Sequence, residues 1–536
     1  MTLYYLRSNA IAEPMVNRWY AWPMLISPAT AALITLNAHI SIMQSYVRMP
    51  KMHEAAVKNA KMRGGPFIDF SGENKVEEVQ SCLDVIEANC SHILEFARAL
   101  KELNQLVQGA ADGHSLIPLY EQIPPILKGY IELVYDLNNH PSYRLLEALL
   151  YRSPYYNEKG QEILLSTING DHRSFVLSTP RVSINNELIW KIPFADPALD
   201  TFFSLREKGR TKEALEEFYQ AHFDNNEHNY KLFWSLMTTE KPKINPSNKQ
   251  YTGEGIRIRY MGHACLLIES KHTTILIDCM VSYGYETEIK RFTFDDLPER
   301  IDYVLLTHAH QDHVLLEHLL QLRYKIQTIV VPKNIPGAIQ DPSLKLMFKQ
   351  LNFKQVIELD ELETIVLPEG ELIALPFFGE HGDLHINSKL AYALRLQNKT
   401  MLFAADSNNL EPMLYAHLQQ VIEKFDLIFL GMECDGAPMS WLYGPLFSKP
   451  ISRTMDQSRR LNGSDSDKAM DIIRRFDCKE VYIYAMGQEP WLGYITSIEY
   501  SLDSRPLTES DRLMQLCHLE NRIAERPYAY KEIHLN

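Results

Sequence analysis

The sequence predicts an α/β protein in two parts. Residues 1–245 form a mixed, mostly helical α+β domain, and residues 246–536 form a layered α/β domain. Three observations lead there. Apolar residues in the first part recur at helical spacing. A polar run, EKPKINPSNKQYTGEG, with Pro242, Pro246, Gly253 and Gly255, then reads as a linker. Beyond it, short β-rich runs alternate with helical segments.

The elements follow in order. Val79, Leu83, Ile86, Cys90, Ile93, Ala97, Leu100 and Val107 make one apolar stripe, which predicts a long helix from Val76 to Val107. Tyr143 to Tyr151 and Lys212 to His222 read as helices. Between them, SFVLSTPRVSINNELIWKIPF alternates around Asn185-Asn186, which predicts a hairpin. In the second part the strands are IRIRYMG, ACLLIES, TTILIDC, DYVLLT, TIVVP, ETIVL, LIALPF, YALRLQ, TMLFAAD, LIFLGM and VYIYAMG. Helices are expected at Val314 to Leu322 and Asp465 to Phe476.

Composition narrows the function. Lys and Arg number 54 against 68 Asp and Glu, a net charge of −14. That balance argues against a nucleic-acid binder or a protein of anionic membranes. The 7 cysteines are odd in number and form no CxxC pair, which suits a reducing compartment. MTLYYLRSNAIAEP lacks a signal-peptide pattern, and Leu25 to Leu36 is too short and too polar to span a bilayer. A cytoplasmic enzyme is expected.

Its chemistry concentrates in DYVLLTHAHQDHV, residues 302–314. A buried strand ends at Thr307 and releases His308, Ala309, His310, Gln311, Asp312 and His313. Positions i and i+2 of extended chain point the same way, so His308 and His310 can grip one metal. Asp312 and His313, at the mouth of the next helix, face a second. TMLFAADSNNL places Asp406 after a strand, where a carboxylate can bridge two cations. LPFFGEHGDLHI offers a further ligand, either His381, which would give an ordinary zinc hydrolase, or Glu380. With Glu380 the set becomes His308, His310, His313, Asp312, Glu380 and Asp406, three imidazoles and three carboxylates. That oxygen-rich set favours iron over zinc. Asp278, after TTILI, reads as a carboxylate behind the ligands, and His263 as structural.

HxHxDH after a strand is the signature of the metallo-β-lactamase superfamily, and the sequence resembles it in the opening strand pair and Asp278 as well. The resemblance implies an αββα sandwich for the second part. Gln488, in VYIYAMGQEPW, stands near the place of the superfamily's last histidine and is not expected to ligate. A closer resemblance runs through HAHQDH, LPFFGEHGDL, AADSNN, LGMECDGAP and AMGQEPW. These runs are similar to the dinuclear-iron β-hydroxylases of nonribosomal peptide biosynthesis. That resemblance implies Glu380 as a metal ligand, two iron ions as cofactor and O2 as co-substrate. It implies an amino acid held as a thioester on the carrier domain of a nonribosomal peptide synthetase. It also implies a homodimer whose N-terminal domain helps form the dimer and borders the active site.

An external reductase is expected, because no flavin or NAD motif appears. Glu433, in LGMECDG, is expected near the metals in a catalytic or substrate-positioning role, with Asp435 as its neighbour. Trp441, Tyr443 and Phe447 read as loop packing, and Arg459-Arg460 and Arg474-Arg475 as solvated charge. The competing reading is a metal-dependent hydrolase, of thioesterase or lactonase type. A non-catalytic carrier-binding protein is a third, opposed by the intact ligand set.

Overall fold

Two seven-stranded sheets stack face to face in the computed structural model, which describes residues 2–59, 61–182, 186–242 and 246–536. The first sheet runs Gln355–Leu359, Ile326–Pro332, Ile301–Leu305, Thr274–Ile277, Cys265–Glu269, Ile256–Gly262, Lys531–Leu535. The second runs Thr364–Leu367, Gly370–Leu375, Ala391–Leu396, Lys399–Phe403, Leu427–Gly431, Glu480–Tyr484, Ile523–Glu525. Ile258, Leu266, Ile275 and Leu305 pack between the sheets against Leu394, Phe403 and Phe429. Helices Leu316–Leu322 and Leu344–Gln350 cover the outer face of the first sheet. Ser466–Arg475 and Arg505–Leu519 cover the second. Because both faces are covered, the strands read as continuous apolar runs. This is the expected αββα sandwich.

Strand direction positions the chemistry. Thr274–Ile277 pairs parallel with Ile301–Leu305, so Asp278 and the loop Thr307 to His313 emerge at one edge. Lys399–Phe403, Leu427–Gly431 and Glu480–Tyr484 are also parallel, and release Asp406, Glu433 and Gly487 beside one another. Crevices at the carboxyl ends of parallel strands are where α/β folds place their ligands.

The first part carries a four-stranded antiparallel sheet, ordered Trp19–Tyr20, Ala10–Val16, Gln161–Thr167, Leu188–Lys191. Lys212–His222 is helical as expected, capped by the Thr211 hydroxyl. Three local expectations change. The Val76 to Val107 stripe is two helices, Val76–Asn89 and Ser91–Gly109, broken at Cys90 with φ −109° and ψ 17°. Both bury the same face in one core, so periodicity passes through the break unaltered. Tyr143 belongs to strand Pro141–Leu145, paired with Ile131–Tyr135, and only Glu147–Leu150 is helical. The 174–194 hairpin does not form. Leu188–Lys191 pairs instead with Gln161–Thr167, and residues 174–180 form no strand. Pro180 cannot donate to a ladder, and Arg173 and Arg181 are drawn to buried Glu13. Asn185, in the expected turn, lies outside the described residues, as do 243–245 of the linker.

The first part also grips the helix that follows the histidine-rich loop. Glu317 accepts hydrogen bonds from Tyr20 (2.8 Å), Tyr283 (2.6 Å) and both terminal nitrogens of Arg173 (3.0 and 2.9 Å). Arg173 reaches on to Glu13 at 2.7 Å and lies over the Tyr494 ring, 3.5 Å from its centroid. Arg206 donates to Gln321 at 2.7 Å, and Arg323 to Asp200 at 2.9 Å. Glu13, Arg173, Arg206, Glu317 and Arg323 are buried charges, so each depends on its partners.

Candidate metal centre

The second-part loops bring together all six predicted ligands. Three groups of donors converge: His308, His310 and Glu380; His308, His313 and Asp406; and His263, Asp312 and His313. His308 Nε2 lies 3.1 Å from His310 Nδ1, which in turn lies 3.1 Å from the Glu380 carboxylate. His313 Nε2 lies 2.8 Å from Asp406 Oδ2, and His308 Nε2 lies 3.6 Å from the same oxygen. Asp406 therefore stands between the two sets.

Hydrogen bonds behind the histidines decide which nitrogens face inward. Asp278 accepts from the Thr307 N–H (2.9 Å) and hydroxyl (2.7 Å), and lies 2.8 Å from His313 Nδ1. His313 thus donates from Nδ1 and turns Nε2 toward Asp406. The Thr307 hydroxyl proton goes to Asp278, so its oxygen accepts from His308 Nδ1 at 3.0 Å and frees His308 Nε2. His310 Nε2 is engaged with the Tyr443 hydroxyl at 3.0 Å, which turns Nδ1 toward His308 and Glu380. Such partners fix tautomer and ring orientation in metal sites. His263 is the opposite case. Its Nδ1 accepts the Gly487 N–H at 3.0 Å, so Nε2 carries the proton and faces Asp312 Oδ2 at 3.3 Å. That contact places Asp312, and with the proton on Nε2 His263 has no lone pair for a metal.

These donors fit a pair of cations. Ligands about 2.1 Å from one ion and at right angles are about 3 Å apart, which the separations above match. Two imidazole lone pairs facing each other at 3.1 Å repel unless a cation lies between them. His313 Nε2 and Asp406 Oδ1 are buried without a hydrogen bond. His381 enters none of the three groups: its ring lies beside His310, 4.6 Å between centroids, and its Nδ1 lies 3.4 Å from the Gly379 carbonyl.

The backbone is held in unusual conformations around the donors. His263, Asp278, Glu380 and Ala405 have φ of 51°, 40°, 68° and 45°. Such left-handed residues cost energy and persist where the surroundings enforce them. Gly431 is required, because a Cβ there would meet the Ala405 carbonyl at 2.5 Å and Asp406 Oδ1 at 2.9 Å.

Burial and neighbouring charge set the ionisation. Burial, reinforced by the surrounding imidazoles, holds His308 well below the usual range, and burial brings His310 down to about 4. Both are therefore neutral and ready to ligate. Burial disfavours the His313 cation, but Asp406, Asp278 and Asp312 outweigh it and raise this imidazole. Burial, with repulsion from Asp406 and Asp312, raises Glu380 and Glu433 far above ordinary carboxylates.

A cavity of about 1310 Å³ opens from these donors. His310, Gln311, Asp312, Glu380 and Glu433 form its inner end. Both parts of the chain wall it, Ile34, Met62 and Phe175 from the first and Trp441, Phe447 and Ile495 from the second. Tyr443 is the residue that sequence reasoning undervalued, since no local spacing links it to His310. Arg460 reaches the cavity and pairs with Asp435 at 3.5 Å. Arg459 donates to the Gly382 carbonyl, whereas Arg474 and Arg475 pair with Glu520 and Asp471.

Fold and donors together define a metalloenzyme of the metallo-β-lactamase superfamily, which comparison with known proteins refines. Residues 5–240 match the diiron non-heme beta-hydroxylase N-terminal domain, and residues 273–458 match the beta-lactamase superfamily domain. The 4-amino-L-phenylalanyl-[CmlP-peptidyl-carrier-protein] 3-hydroxylase of Streptomyces venezuelae is 36% identical over 99% of this chain and 100% of its own. The crystal structure of CmlA, a diiron beta-hydroxylase from the same organism, superposes over 100% of both chains with a TM-score of 0.92 at 36% identity. A CmlA variant superposes over 99% of this chain and 100% of its own, with a TM-score of 0.90 at 35% identity. The chain belongs to the diiron non-heme β-hydroxylases and is an iron-dependent hydroxylase. Among the described residues, no helix is long and apolar enough to cross a membrane.

Proposed function

We propose that this protein hydroxylates the β-carbon of an amino acid held as a thioester on the carrier domain of a nonribosomal peptide synthetase. The observation that carries the reading is Glu380, turned onto His308 and His310 where a histidine would complete a zinc hydrolase. The relative named for a carrier-bound aminoacyl substrate supports the tethered form. In this reading His308, His310 and Glu380 would hold one iron and Asp312 and His313 the other, with Asp406 placed between the two sets. Two ferrous ions held there would supply the redox chemistry for using O2 as co-substrate.

The chain's own residues do the rest. Asp278, Thr307 and Tyr443 keep the histidine lone pairs directed inward, His263 holds Asp312, and the cavity walls exclude water from the reacting carbon. Inserting one oxygen atom while reducing the other to water takes two electrons more than the C–H bond gives, so a separate reductase supplies them. Residues 1–245 act as the domain for dimerisation and substrate access, and residues 246–536 as the catalytic domain. Exposed Ile117, Tyr120 and Leu137, on and beside the hairpin that includes Ile131–Tyr135, support a homodimer. Cysteine usage supports a cytoplasmic setting.

Single turnover of reduced, iron-loaded protein with isotopically labelled O2 tests this. The acyl group on the carrier should gain one labelled oxygen, and the free amino acid should react far more slowly. Equal hydroxylation of the free amino acid refutes carrier dependence, and thioester release without oxygen gain identifies a hydrolase.

A further inference from the structure

Five carboxylates line the cavity: Asp312, Glu380, Glu433, Asp435 and Asp456. Four are accounted for. Asp312 and Glu380 belong to the donor groups. Asp435 pairs with Arg460 at 3.5 Å, and Asp456 accepts from the Ser440 N–H and hydroxyl at 3.0 and 2.7 Å. The Glu433 carboxylate has no hydrogen bond or ion pair among the described residues. Its backbone is nonetheless anchored: it follows strand Leu427–Gly431, and its carbonyl accepts the Gly463 N–H at 2.8 Å. An anchored, half-buried carboxyl without a protein partner is a ready acceptor for a cationic group that enters the cavity. Among the described residues no cation of the cavity lining pairs with Glu433: Arg63 pairs with Glu499, Arg460 with Asp435, and Lys101 donates to Asn37.

Resting on the proposed function, the chemistry of the missing cation is specific. An aminoacyl group loses its carboxylate charge when it becomes a thioester. It then keeps one charge beside the reacting carbon, the α-ammonium. We infer that Glu433 receives this α-ammonium and thereby aims the β-carbon at the metals. The Cα carries three heavy substituents. With nitrogen held at Glu433 and the thioester carbonyl directed toward the cavity opening, the position of Cβ follows for one enantiomer only. In the other enantiomer hydrogen and Cβ exchange places. Glu433 is thus a substrate-positioning residue that selects both the amine and the handedness of the acyl group.

The test compares acyl groups on one carrier domain. A panel of L-aminoacyl thioesters, including 4-amino-L-phenylalanyl, first identifies the best substrate. That acyl group is then offered with the α-amine, with hydrogen in its place, and as the D-enantiomer, to wild type, E433Q and E433D. Iron content is measured on each protein. Wild type should prefer the L-aminoacyl group by about 100-fold in kcat/KM, the size expected when a charged partner is withdrawn. E433Q should lose most of that preference with its iron intact, and E433D should recover part of it. The inference is overturned if E433Q slows all acyl groups equally, if it loses iron, or if wild type is indifferent to the amine. If wild type hydroxylates no carrier thioester at all, the proposed function itself fails, and the inference with it.

Discussion

The two parts of the chain contribute to the site in opposite ways. Every metal donor comes from the second part, from loops at the carboxyl ends of parallel strands. Among the described residues the first part supplies no donor, yet it buries Glu13, Tyr20 and Arg173 around Glu317, on the helix that follows the histidine-rich loop. One part carries chemistry in residues close together in sequence. The other fixes that chemistry in space through contacts far apart in sequence. Damage to each should therefore leave a different signature: lost metal in one case, lost stability in the other.

The largest effect is expected in the first part. Arg173→Ala leaves Glu13 and Glu317 without their shared partner, and removing one member of a buried ion pair costs about 3–5 kcal/mol. Thermal unfolding should shift down strongly; an unchanged Tm would break the contrast.

In the second part, Glu380→Ala should reduce iron content and lower hydroxylation by more than about 100-fold, whereas His381→Ala should keep its iron. Metal analysis of the two variants checks the assignment, and the reverse pattern would mean that His381 ligates. Asp278→Asn acts one bond further out. It weakens the hold on His313 and Thr307 and should lower iron affinity by about 10–100-fold, measured by chelator competition.

The mildest effect appears only in acid. Burial opposes ionisation of Glu13, but Arg181 and Arg173 overcome it and hold the carboxyl at about 2, down from 4.5. A depressed carboxyl contributes stability that is present above about 4.5 and is lost as pH falls toward about 2. Wild type should therefore lose stability across that window more steeply than Glu13→Gln, as denaturant titrations at each pH will register.

The same contrast explains what was legible in the sequence. The β-rich runs after residue 255 became strands because both sheet faces are covered, and burial writes itself as apolar runs. Less apolar strands such as Gln355–Leu359, Ile523–Glu525 and Lys531–Leu535 gave no such signal, and all three lie at sheet edges where pairing alone defines them. His308, His310, Asp312 and His313 stood out because their spacing is local. Tyr443, 133 residues from His310, did not. Nor did Arg173, whose partners Glu13 and Glu317 lie 160 and 144 residues away.

The metal decides the central claim. Three imidazoles and three carboxylates, with Glu380 in place of a histidine, should hold about two irons per chain in the purified protein. Elemental analysis, combined with an optical spectrum and turnover of the same sample, measures this directly. Two irons in protein that hydroxylates the tethered acyl group is the predicted result. Stoichiometric zinc in protein that instead cleaves the thioester would contradict it.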